Sequence, residues 1–164
     1  MKYISSDTNV WIDFAAINAL ALPFRLDCVY FMSKDAIEDE WRSPKGRGTE
    51  LLALGLQPVC ITTEEFYYAV DIRSSNPRLS AYDAFALAIA KFRNMILLTG
   101  DGRLRKVAIA EGVTVRGTLW VFDELLKTGK ITEVEFKGYM SDLKKLNGGQ
   151  VRLPEIEIDK RMKL

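Results

Sequence analysis

The chain has 164 residues, 48% hydrophobic and 27% charged, which is one domain's worth of sequence with enough apolar material for a core and argues against both a disordered tail and a membrane protein. Its 23 Lys and Arg against 22 Asp and Glu leave a net charge of +1, so any affinity for nucleic acid must come from local patches rather than bulk charge. With no histidine, it cannot build a Ser-His-Asp or Cys-His triad, a His-ligated zinc site or a His general base. In chain order, Tyr3-Ile4 reads as a short strand ending in the polar corner Ser6-Asp7-Thr8-Asn9, after which Val10, Ile12, Phe14, Ala15, Ile17 and Leu20 predict a buried helix. Cys28-Val29-Tyr30-Phe31-Met32 reads as a second strand, followed by Ser33-Lys34-Asp35 and a helix from Ala36 that Pro44, Gly46 and Gly48 loosen ahead of Leu51 to Leu54. Pro58-Val59-Cys60-Ile61 reads as a third strand before a helix over 63–73, and Ser74-Ser75-Asn76-Pro77 is a turn cluster.

From Ser80 runs the most apolar helix, centred on Ala84 to Ala90, then the strand Met95-Ile96-Leu97-Leu98 and the corner Thr99-Gly100-Asp101-Gly102. A helix over 103–111, a short strand over 113–115 and helices near 118–128 and 133–146 follow. Gly148-Gly149 then detaches residues 150–164, expected to add an edge strand or bind a partner. Alternating strands and helices predict a three-layer α/β/α sandwich with a central, mostly parallel sheet, one domain over 1–146 and a tail over 147–164. Cys28 and Cys60 are too few for a four-thiolate zinc site and are expected to be reduced and buried in strands. The start of the chain carries no long apolar stretch and no run approaches the roughly 20 apolar residues of a membrane span, so a cytoplasmic location is expected.

In parallel sheets, ligands gather outside the carboxyl ends of the strands, where Asp7 and Asp101 lie. Each also reads as a helix N-cap, worth about 1 kcal/mol. Asp83 sits in an otherwise apolar helix, where a carboxylate needs a partner; Ser80 three residues earlier offers a capping box. In Asp35-Ala36-Ile37-Glu38-Asp39-Glu40-Trp41, Ile37 and Trp41 mark the buried face, Glu38 and Glu40 flank it, and Asp39 points away. Capping-box spacing from Asp35 assigns Glu38 a structural task, which favours Glu40 and keeps Glu38 as the fallback acid. If Asp7, Glu40, Asp83 and Asp101 converge, two such charges about 5 Å apart repel by roughly 3 kcal/mol at an effective dielectric of about 20. Partial protonation, a basic partner or a hard divalent cation would relieve this, and Mg²⁺ or Mn²⁺ suits carboxylate oxygens. Without histidine, water activated by a metal is the plausible route to hydrolysis.

The set Asp7-Thr8-Asn9-Val10, Ile37 to Trp41 around Glu40, Leu79-Ser80-Ala81-Tyr82-Asp83-Ala84 and Leu97-Leu98-Thr99-Gly100-Asp101 resembles a PIN-domain nuclease over residues 1 to about 128. The resemblance implies that Asp7, Glu40, Asp83 and Asp101 bind Mg²⁺ or Mn²⁺ and hydrolyse single-stranded RNA, with Asn9 and Thr99 in support. Many members are toxins of VapBC-type pairs, which implies an antitoxin partner, and members commonly form homodimers. Gly102-Arg103 stands where relatives often carry another acid, which bears on a second metal. Gly117-Thr118-Leu119 and the helices after it are similar to the C-terminal extension of a longer branch, which weakens the toxin inference.

Lys91, Arg93, Arg103, Arg105, Lys106 and Arg116 form a basic stretch that reads either as a solvated helix face or as a phosphate-binding rim, with Arg103 nearest Asp101. Two rival readings stand beside the nuclease. Asp7-Thr8-Asn9-Val10 also resembles the first motif of a haloacid-dehalogenase-like phosphatase, though Asn9 replaces the acid/base residue. A PIN-like scaffold that binds RNA or protein without chemistry is the other.

Overall fold

The computed structural model describes residues 1–40 and 46–164, and Glu40 by its backbone alone. β1 (Lys2–Ser6) occupies the middle of the sheet and serves both faces by the two-residue period of a strand. Ile4 enters one hydrophobic cluster with Trp11, Phe14 and Tyr30, while the Ser5 hydroxyl donates to the Ala86 carbonyl on the other face at 2.7 Å. Among the described residues, β1 joins β2 (Cys28–Ser33), β3 (Gln57–Val59), β4 (Ile96–Leu98) and β5 (Val115–Arg116) in one parallel sheet ordered β3-β2-β1-β4-β5. The chain winds outward from β1 to β3, then returns to the far side of β1 with β4. That order reverses direction between β1 and β4, where Ser6 pairs with Leu98.

Around the sheet lie α1 (Thr8–Ala16), a 3-10 turn (Leu22–Arg25), α2 (Lys34–Glu40), α3 (Arg47–Leu54), α4 (Thr63–Ser75), α5 (Ala81–Phe92), α6 (Gly102–Ala110), α7 (Thr118–Lys127), α8 (Glu133–Leu146) and α9 (Glu155–Met162). The result is the expected α/β/α sandwich. Leu97 and Leu98 feed separate clusters, Leu97 with Leu87, Leu104 and Val115, and Leu98 with the Trp11 cluster. Trp11 stacks on Phe24 and meets Tyr30 edge-on, each at 5.3 Å, and its indole N–H donates to Ser6 Oγ at 3.0 Å. These contacts hold α1 rigidly to the end of β1.

Several local expectations change. The helix expected from Ala36 into the fifties is two helices, α2 and α3, the latter opened by Gly46 at φ 96°, a left-handed conformation that glycine adopts without strain. The predicted burial of Trp41 and the break at Pro44 lie outside the described residues. β3 ends at Val59, so Cys60 is exposed and off the sheet, and Cys28 is half-buried; the expectation of two buried strand cysteines fails because the apolar run outlasts the pairing. Residues 150–164 form α9 rather than an edge strand. Its acidic first turn and basic last turn match the helix dipole, Ile158 and Val151 are buried, and Asn147 clamps Leu153 through two hydrogen bonds of 3.0 and 2.8 Å. No helix among the described residues is long and apolar enough to cross a membrane.

Two buried carboxylates generate predictions. Glu65, 1% exposed, closes a capping box with Thr62 and accepts from Arg93 Nε and Nη2 at 2.9 and 2.8 Å, tying the start of α4 to the end of α5. Glu65→Ala removes the cap and strands Arg93, and is expected to cost about 2–3 kcal/mol in denaturant unfolding. Asp13 on α1 accepts from Thr118 Oγ1 at 2.7 Å, and burial outweighs that bond, raising its pKa from 3.8 to about 6. A raised folded-state pKa means that the contribution of this group to stability is greatest below 3.8 and declines as pH rises through about 6. Asp13→Asn is therefore expected to flatten this decline and to be more stable than the parent at pH 7.5 by about 2 kcal/mol, read from unfolding curves across pH.

Candidate active site

The switch point between β1 and β4 is built from backbone outward. Asp7 N–H donates to the Leu98 carbonyl at 2.9 Å, which continues the β1–β4 pairing one residue beyond β1 and seats Asp7 beside Thr99. The wholly buried Thr99 hydroxyl donates to Asp7 Oδ2 at 2.9 Å and accepts from Asp101 N–H at 3.0 Å. One hydroxyl thus joins the first acidic corner to the last. Asn9, on the first turn of α1, adds a second tie: its Oδ1 accepts from Gly100 N–H at 3.1 Å. Asp7 is 6% exposed and caps α1, its Oδ1 accepting from Thr8 N–H at 2.8 Å. The neighbouring Thr8 Oγ1 is buried with no hydrogen bond among the described residues.

Asp101 caps α6, its Oδ1 accepting from Arg103 and Leu104 N–H at 2.8 and 3.0 Å. Asp83 completes the capping box with Ser80, its Oδ2 accepting from Ser80 N–H at 2.9 Å and its own N–H donating to Ser80 Oγ at 3.0 Å. All three acids therefore do cap helices, but the cap occupies one oxygen in Asp83 and in Asp101. Among the described residues, the other oxygen of each has no hydrogen bond. Desolvation by burial raises the Asp83 pKa above the ordinary carboxylate value, and the charge of Asp101 raises it further; the Ser80 bonds and Arg73 act in the opposite direction. Asp83 and Asp101 thus feel each other's charge, which brings α5 and the β4–α6 corner to one place.

The second acid is placed less fully. Glu40 closes α2, and its side chain lies outside the described residues. The expected Asp35–Glu38 capping box does not form, because Ser33 Oγ takes the Ala36 N–H at 3.1 Å and so caps the helix ahead of Asp35; Glu38 is exposed. Asp39 is exposed, as helix angle predicts, but it accepts a hydrogen bond from the Tyr82 hydroxyl, which brings α2 to the residue preceding Asp83. Among the described residues, no three acids or cysteines form a group that could by themselves hold a metal ion.

The basic stretch of residues 91–116 divides. Arg93 is committed to Glu65, and Lys91 to Glu111 and the Tyr68 ring. Arg103 turns with Arg78 and Lys106 to a cleft beside the α4–α5 turn. Arg105 and Arg116 instead line a cleft of about 570 Å³ together with Gly100 and Gly102, on either side of Asp101 in the chain, and with Arg152, Leu153, Pro154 and Arg161 from the C-terminal segment. Sequence spacing had no means of adding Arg152, which α8 and the turn after it return to this corner from far along the chain.

No curated protein matches the chain at a significant level. A family model, DUF3368, described as a PIN domain, matches residues 3–163. PIN domains are generally nucleases and generally use divalent metals. A match of that extent, on a chain whose first and fourth strands meet as they do here, makes the protein a member of the PIN-domain family.

Proposed function

We propose that this PIN domain is an endoribonuclease that hydrolyses phosphodiester bonds of single-stranded RNA with Mg²⁺ or Mn²⁺. The observation that carries this reading is the carboxylate oxygen that capping leaves unused on each of Asp83 and Asp101, two acids whose charges interact, with Asp101 tied through Thr99 to Asp7 at the sheet's switch point. A hard cation fits this donor set, since Mg²⁺ binds through one or two carboxylates and keeps several waters. Asp7, Asp83 and Asp101 would hold it, with Glu40 as a further ligand or acting through water. Bound there, the cation would stabilise charge on the phosphoryl group and its leaving oxygen and lower the pKa of the attacking water.

The chain's own groups prepare that site. Thr99 orients Asp7 Oδ2 through a buried hydrogen bond and at the same time holds the Asp101 backbone through a partly buried one, so the position of each corner constrains the other. Asn9 fixes Gly100 against α1. The raised pKa of Asp83 means that it holds a proton more readily when no cation is near and gives it up when one arrives, so metal binding should strengthen as pH rises. Without a cation, these acids repel the phosphate backbone.

Asparagine is the test residue, because it retains helix capping while removing charge. Asp7→Asn, Asp83→Asn and Asp101→Asn are each expected to lower metal-dependent cleavage of mixed single-stranded RNA by more than about 100-fold, beyond the range of changes to supporting groups. Their thermal unfolding should stay near that of the parent, and EDTA should abolish cleavage by the parent. Folded Asp7→Asn or Asp83→Asn protein with unchanged turnover would remove that acid from the site, and calorimetry showing no metal binding would favour the scaffold reading. Glu40→Gln is expected to cost activity and Glu38→Gln to leave it intact, the comparison being made by initial cleavage rates.

A further inference from the structure

We infer that the cleft between Arg105, Arg116 and Arg152 is a phosphate subsite, holding the backbone of the RNA strand next to the nucleotide being cut. The inference rests on the nuclease reading for the identity of its ligand. The cleft is lined by the two glycines that flank Asp101, which puts it next to the acidic corner in the chain. Its charges are available. The side chains of Arg105 and Arg152 are exposed and make no hydrogen bond or ion pair among the described residues, and Arg116 donates from Nη1 to the adjacent Val115 carbonyl at 2.9 Å. By contrast, Arg161 at the far wall is neutralised by Asp123 and Glu157, and Glu157, the one acid lining the cleft among the described residues, is itself held by Arg161 and Lys160. Three guanidinium groups without an acidic partner among the described residues therefore face one cavity in a chain whose net charge is only +1.

The cavity also has a shaped floor. A Cβ on Gly117 would lie 3.1 Å from Arg105 Nη2 and 3.5 Å from the Thr99 carbonyl, which places the Arg105 guanidinium against Gly117, close to the corner that carries Thr99. Guanidinium forks match phosphate oxygens, which suits a sugar-phosphate backbone as the occupant of this cleft. Two walls come from the β5–α7 corner and the segment ahead of α9, so the C-terminal segment contributes directly to substrate contact.

The test is the binding of a short fluorescently labelled single-stranded RNA by anisotropy in EDTA across a salt series, beside cleavage kinetics in Mg²⁺. Binding without metal separates this inference from the nuclease reading: absent cleavage would defeat the latter alone. Arg152→Glu and Arg116→Gln are each expected to weaken RNA binding about tenfold and to reduce the slope of log affinity against log salt by about 1 for each phosphate no longer neutralised. Lys145→Glu, which introduces the same charge change as Arg152→Glu at an exposed position on α8, should leave both unchanged. In cleavage, the deficit should fall on KM more than on kcat. Unaltered affinity and salt slope in both arginine variants would overturn the inference, as would an equal weakening in Lys145→Glu. It would likewise fail if the arginine variants lost binding to an acidic peptide while binding RNA like the parent.

Discussion

The rest of the site depends on the parallel pairing of β1 with β4, extended one residue past the end of β1 by the Asp7 N–H to Leu98 carbonyl bond. Asp7 is nearly buried, and a carboxylate in that position is tolerated only when its oxygens are satisfied. Both are, one by the first free N–H of α1 and the other by Thr99. Because the same hydroxyl accepts the Asp101 N–H, the position of one acid sets the position of the other. Trp11 and Asn9 keep α1 from rotating away from this arrangement, through Ser6 and Gly100 respectively.

Helix capping and a cation site make demands on the same carboxylates, yet the geometry divides their work by atom. A cap uses one oxygen and points it at backbone N–H groups, while the second oxygen of Asp83 and of Asp101 has no hydrogen bond among the described residues. The positive ends of α1, α5 and α6 thereby help to hold several negative charges near one another before any cation is present. What the helix ends do not offset is visible at Asp83, where burial and the charge of Asp101 push the pKa upward.

Charge is separated across the corner rather than mixed. Asp7 and Asp101 follow β1 and β4, and Arg105, Arg116 and Arg152, without acidic partners among the described residues, line the cleft that Gly100, Gly102 and the β5–α7 corner share. Other cations in the basic stretch are committed to structure: Arg93 ties α4 to α5 through Glu65, and Lys91 pairs with Glu111. A near-neutral chain can thus present a locally positive surface, because pairing removes some of its cations and leaves others unopposed.

Much of this was legible in local pattern. The alternation of strand and helix follows from apolar period, the capping residues Asp7, Ser80 and Asp101 follow from backbone donors that every helix start must satisfy, and the acids were visible because a carboxylate at a strand's carboxyl end or inside an apolar helix is expensive without a partner. Local pattern misjudged what depends on partners. Asp39 looked outward by helix angle alone, but Tyr82 of α5 reaches it; Cys60 looked buried because its run is apolar, but the β2–β3 pairing ends at Val59. Asp13 carried no local signal, since its burial depends on Thr118 arriving from α7. The sequence by itself determined which segments become strands and helices and which acids need an explanation, because those are consequences of neighbours along the chain. Only the tertiary structure decided which oxygens remain unused and that Arg152 stands beside Arg105 and Arg116, because such contacts arise when packing closes loops whose ends are far apart in sequence.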